Sequence, residues 1–177
     1  MRSIFAGVTL LFALTAIQPA SAAPNSVPNG TYKIDPDHAQ VIFMIQHMGL
    51  STFYGRFGSV AGTLTVDPAA PEQSTLDAQI DMTNISTHVE KLDSELKDDV
   101  FDSAKYPTAT FKATKIVVAG DKSGTVTGDM TIKGITKQVT LNVTFNGGRS
   151  SPIPFAPYRL GFDATGTIHR ADFGLTG

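Results

Sequence analysis

The sequence predicts an all-β protein, a mainly antiparallel barrel that carries one short helix. From Thr31 onward the apolar residues recur at a period of two almost everywhere, and Gly, Pro, Asp and Asn fall between the runs as turn formers do. Only one segment changes to helical spacing. Nearly every run has one face of Leu, Ile, Val, Met and Phe, so the strands need a shared interior. A barrel supplies one and also removes the exposed edges of an open sheet. A two-sheet sandwich is the structural alternative; eight strands in a barrel would enclose an interior of ligand size.

Taken in order, the chain opens on a targeting signature. Arg2 precedes an apolar run from Ile4 to Ile17, then come Pro19 and the small residues Ala20, Ser21 and Ala22. This predicts a signal peptide over residues 1–22, cleaved after Ala22, and a mature domain over 23–177. The run is shorter than the ~20 residues of a spanning helix, so no stable transmembrane anchor is expected. With 177 residues the chain suits one domain. It has no cysteine, so an exported fold must stand on packing and hydrogen bonds alone, which favours the periplasm of a Gram-negative cell.

The first strand is the short run Tyr32-Lys33-Ile34. After Pro36, residues Ala39 to Met48 are apolar on both faces, with Val41, Phe43, Ile45 and His47 on one side. Such a strand is expected to be covered on both sides. Leu64 and Val66 form a brief strand before Pro68, and Leu76, Ala78, Ile80 and Met82 alternate with polar residues as a half-buried strand does. Val89, Leu92, Leu96 and Val100 then recur at spacings of three and four. A Thr87-x-x-Glu90 capping box precedes them and an Asp93 to Lys97 pair sits on the outer side, predicting a helix from about His88 to Val100.

Beyond the helix, Asp99 to Phe111 forms an aromatic-rich turn that enters a strand. Val126 to Ile132 and Ile135 to Phe145 are two more alternating runs, joined tightly at Gly134. The last clear strand runs from Tyr158 to Ile168, where Gly161 and Gly166 allow bending. Arg170 shares its parity with Phe162 and Ile168.

Composition and motifs exclude several functions. Fourteen basic and sixteen acidic residues give a net charge of -2 without a block of either sign, so nucleic acid is not an expected partner. His38, His47, His88 and His169 show no metal-ligand spacing. No nucleophile elbow, no glycine-rich phosphate loop and no convergent acid-base pair is present, so neither a catalytic residue, a metal nor a covalent cofactor is predicted. His47 reads either as a core or pocket histidine with local hydrogen bonds or as a group that orients a ligand. Phe101, Tyr106 and Phe111 either seal a core or line a pocket.

Four motifs in order resemble the YceI-like, lipocalin-like polyisoprenoid-binding proteins of bacteria. They are Ile34-Asp35-Pro36-Asp37-His38 leading into Val41-Ile42-Phe43 and His47-Met48; the Asp99 to Phe111 segment; Gly128 to Thr136; and Arg170-Ala171-Asp172-Phe173-Gly174. The resemblance spans nearly the whole mature chain. It implies an extended antiparallel eight-stranded barrel with a helical segment near one opening, and a non-covalent isoprenoid lipid or quinone as the ligand. Relatives continue past the Phe-Gly of the last motif into one more strand. The end at Leu175-Thr176-Gly177 therefore predicts a C-terminally truncated barrel with an open seam.

On this reading a lipid tail lies along the barrel axis, with inward faces assigned by alternation. Phe43, Ile45, Leu64, Ile80, Met82 and Phe101 line one part, and Phe111, Met130, Leu141, Val143, Phe162 and Ile168 the rest. His47 and Arg170 are the candidate headgroup ligands, although Arg170 equally suits an ion pair with Asp172 or Asp163. The expected activity is that of a periplasmic carrier and not of an enzyme; a lipid-modifying enzyme and a ligand-free structural or partner-binding barrel are the alternatives. Transient membrane contact and a homodimer are both compatible with the sequence.

Overall fold

A computed structural model describes residues 27–150, 152–154 and 156–175. The expected signal segment, residues 1–22, lies outside them, as do the final Thr176 and Gly177. The strands are β1 (Gly30–Lys33), β2 (Ile42–His47), β3 (Ser51–Arg56), β4 (Val60–Val66) and β5 (Thr75–Asp81), then β6 (Thr108–Val118), β7 (Ser123–Ile132), β8 (Ile135–Arg149) and β9 (Arg159–Thr165). Helix α1 (Glu90–Glu95) sits between β5 and β6.

Seven strands form one antiparallel sheet in the order β1-β4-β5-β6-β7-β8-β9, while β2 and β3 pair as a separate hairpin. The all-β prediction therefore holds, as a curled half-barrel and not a sandwich. The count differs from the expected eight, because Ser51 to Arg56 forms a strand that the alternation did not reveal. Its apolar and aromatic residues lie side by side at Phe53 and Tyr54, with Gly55 and Arg56 after them, so no period of two stands out. Among the described residues no ladder joins β9 to β1, β2 or β3, and the sheet keeps two free edges.

The expectation that β2 is covered on both sides is corrected. Phe43 and Ile45 turn inward, but Ile42 and Met44 on the other face are 61% and 68% exposed. Among the described residues nothing packs outside this hairpin. The strand predicted from Tyr158 to Ile168 is also shorter: β9 stops at Thr165, and Arg170–Phe173 forms a 3-10 turn, so alternating parity does not extend from Phe162 to Arg170.

The helical segment follows the apolar spacing but not the predicted cap. Regular α-helix covers Glu90–Glu95, and the last turn widens so that Phe101 N–H donates to Leu96 O at 2.9 Å, five residues back. The Thr87–Glu90 capping box does not form. Instead Asp93 Oδ1 accepts from both the N–H and the hydroxyl of buried Thr87, each at 2.6 Å. Asp93 is thereby engaged inward, and the outer ion pair is Lys91 with Glu95 at 3.7 Å, not Asp93 with Lys97. Lys133 Nζ donates to Val100 O at 2.9 Å, tying the end of the helical segment to the β7–β8 turn. That turn places Lys133 at φ 51° and Gly134 at φ 76°, the left-handed pair that a two-residue hairpin needs.

Burial is uneven along the barrel. Val60 opens β4, Ile80 and Met82 end β5 and its exit, Ala109 and Phe111 open β6, and Ile132 closes β7; all are buried. Leu96 and Phe101 from the helical segment, and Phe173 and Leu175 from the chain beyond β9, pack with them. One end of the barrel is thus filled. At the other end Val66, Leu76, Ile116, Val143, Phe145 and Leu160 are only half-buried, and the sheet encloses space.

Candidate ligand-binding cavity

That space is a cavity of about 3050 Å³. Compact ligand pockets occupy about 300–1,000 Å³, so the interior has room for something larger or longer. Its floor is the packed helical end, where Phe57 stacks between Phe43 (centroids 5.0 Å apart) and Phe101 (5.5 Å) and joins the β2–β3 hairpin to the helix exit. Ile80, Met82 and Phe111 complete that end, with Ile132 and Val139 beside them. Along the wall stand Leu64 from β4, Met130 from β7, Leu141 and Val143 from β8, and Ile45 from β2. Phe145 and Phe162 face each other across β8 and β9 with centroids 5.1 Å apart. Every apolar residue assigned inward by alternation lines the cavity, including Phe162 and Ile168, which are 44% and 37% exposed beside the free edge.

The two polar candidates stand apart in the fold. His47 ends β2 and is exposed where the hairpin turns, opposite Ser51. Arg170 lies in the 3-10 turn beside β8, where Gly174 approaches Ile135 at the filled end, and both His47 and Arg170 line the cavity. The sequence reading missed the polar groups at the wide end. There Tyr32 follows the start of β1 and Tyr158 precedes β9, on either side of the seam. Burial pushes the Tyr32 phenol above its ordinary range and the nearby Tyr158 adds to this; Tyr32 Oη donates to Pro28 O at 2.7 Å. Asp35 is held below the usual carboxylate range by the N–H of Asp37, by His38 Nδ1 at 2.9 Å and, more weakly, by the Arg159 charge. The curl of the sheet brings these groups together across the seam, where β1 and β9 are not paired.

Residues 32–177 match the YceI-like domain. The chain belongs to the YceI-like family. A UPF0312 protein of Pseudomonas putida F1 is 37% identical over the full chain and 89% of its own length. Another, from Pseudomonas savastanoi pv. phaseolicola, is 38% identical over 82% of this chain and 77% of its own. The crystal structure of Burkholderia cenocepacia BcnA superposes with a TM-score of 0.70 at 26% identity, covering 81% of this chain and 86% of that one. A Campylobacter jejuni YCEI protein superposes with a TM-score of 0.63 at 31% identity, over 81% and 84% of the two chains. Membership of the YceI-like family and the curled barrel are consistent with a binding protein.

Proposed function

We propose that this YceI-like protein is a periplasmic carrier that holds one long-chain isoprenoid lipid, of the polyprenyl phosphate or quinone type, with its tail inside the barrel. The observation that supports the reading is the apolar cavity of about 3050 Å³, floored at one end and open at the other. A long tail suits a deep apolar trough, packed at one end, better than a compact ligand does. Each buried methylene contributes ~0.8 kcal/mol, so ten buried carbons contribute about 8 kcal/mol before the cost of ordering the tail is subtracted. Tight binding then needs few polar contacts.

Native mass spectrometry of the protein purified from its own cells tests the proposal. A co-purifying isoprenoid near one per chain is the expected result. An empty barrel that also refuses added isoprenoid would leave a structural or partner-binding role, and chemical alteration of the added lipid would establish an enzyme. Leu141→Arg, which places a charge on the half-buried wall, should abolish lipid retention in a protein whose circular dichroism is unchanged.

A further inference from the structure

Between Asp37 and Asp67 the only formally charged residue is Arg56, in a chain where 17% of all residues carry a charge. The β2–β3 hairpin lies within that stretch, and its outer face is apolar and open. On that face Met44 stands opposite Tyr54 and Ile42 opposite Arg56, and all four are exposed. The turn adds Met48 and Leu50, 81% and 86% exposed, which exceed every other large apolar residue among the described ones. The one polar pair on the face satisfies itself, since Gln46 Nε2 donates to Thr52 Oγ1 at 2.8 Å.

The inner side of the hairpin fixes this face in place. The Phe43 ring lies over Gly55, where any Cβ would collide with it, and packs on Phe57, which packs in turn on Phe101 at the helix exit. The outer side chains are thus held out by a rigid base. Two strands of six residues make a strip about 20 Å long and about 10 Å wide, roughly 200 Å², far below the ~800 Å² per partner that a stable dimer buries. A second copy is therefore a poor occupant. Apart from the Arg56–Ser86 bridge, the outer edges of the two-stranded ribbon carry no ladder among the described residues. Their backbone groups need water or headgroups as partners, which limits burial to an interface. An uncharged apolar strip with an aromatic ring beside it and a lone cation at one end fits the boundary layer of a bilayer.

We propose that the β2–β3 hairpin is a membrane-docking element, which lies with its outer face and turn on a lipid bilayer. Ile42, Met44, Met48 and Leu50 then enter the top of the acyl layer, while the Tyr54 hydroxyl and the Arg56 guanidinium stay among the headgroups. The choice of a bilayer as occupant rests on the carrier reading, because a carrier of a membrane lipid must meet the membrane that supplies it. With one cation on the face, attachment is apolar and depends little on anionic lipid or salt.

The test uses the mature full chain and vesicles free of isoprenoid, one set of phosphatidylcholine alone and one with a third of phosphatidylglycerol. Wild type should float with both, and its affinity should differ between them by no more than about fivefold, the weight of one surface cation. Met48→Asn/Leu50→Ser should weaken binding to both at least tenfold with an unchanged melting temperature, since both positions are exposed and Asn tolerates the φ of 53° at Met48. The chain has no tryptophan, so single reporters locate the contact. Leu50→Trp should shift its emission to the blue on adding vesicles and be quenched by brominated acyl chains, while Gln138→Trp, exposed on the outer face of β8, should do neither. Absence of vesicle binding in the wild type overturns the proposal, as does binding that survives in the double variant. Sedimentation velocity without vesicles covers the rival occupant: a dimer that the same variant dissociates, in a protein that ignores vesicles, assigns the face to a second copy and overturns docking. Because the vesicles hold no isoprenoid, docking can fail while co-purified lipid still upholds the carrier, and the two readings are judged separately.

Discussion

Asp81 illustrates how a single residue at a strand end governs its turn. Burial opposes its charge, but Asn84 Nδ2 at 2.6 Å, the Thr83 hydroxyl at 2.7 Å and the Thr83 N–H at 2.8 Å outweigh that penalty and hold the carboxyl below its ordinary range. The folded state then binds the proton less readily than the unfolded chain. The resulting stability is complete above the unfolded value near ~3.9 and is lost as pH falls through the lower folded value. Asp81→Asn should accordingly flatten the fall in melting temperature below about pH 4 relative to wild type, read by calorimetry across an acid series. This network was invisible to alternation, which classed Asp81 only as the outer partner of Ile80 and Met82. Inward apolar residues such as Ile80 and Leu141 were legible because period two alone decides which face they take. The approach of Arg159 to Asp35 was not, because it depends on where the seam falls.

At the scale of elements, the helical segment and the hairpin taught opposite lessons. The spacing of Leu92, Leu96 and Val100 located the helix correctly, since an apolar stripe must face the core whatever caps it. Its start did not follow the capping box, because Asp93 lies one turn further in and reaches both donors of Thr87 at once. Asp93→Ala should therefore cost about 1–3 kcal/mol by leaving buried Thr87 donors unpaired, whereas Glu90→Ala, at an exposed position, should stay within about 0.5 kcal/mol. Urea midpoints of the two variants make the comparison. In the hairpin, an apolar run on both faces of β2 suggested full coverage, yet the sheet covers one face only. Sequence reports how greasy a face is, and here the partner strand β3 and the lack of an outer layer among the described residues were decided by tertiary arrangement.

For the whole molecule, a barrel filled at one end and hollow at the other is a scaffold whose stability depends on its contents. A ligand that binds only the folded chain adds about 2.7 kcal/mol at a free concentration of 100 Kd. Lipid-loaded protein should therefore melt higher than stripped protein, by an increment that grows with added isoprenoid in a thermal-shift titration. The barrel class followed from strands with one apolar face, while the break between a seven-stranded sheet and a separate hairpin followed from pairings that no local pattern encodes. Those pairings also set the order of assembly. From β4 to β9 every strand lies beside its neighbour in the chain, so that part of the sheet can zip together through short-range hairpins. β1 alone waits, since Gly30 must find Val66. A chain growing from its amino terminus makes this strand first and attaches it to the sheet only after β4 exists, and the slowest-protected backbone amides during refolding should be those of Thr31 to Lys33.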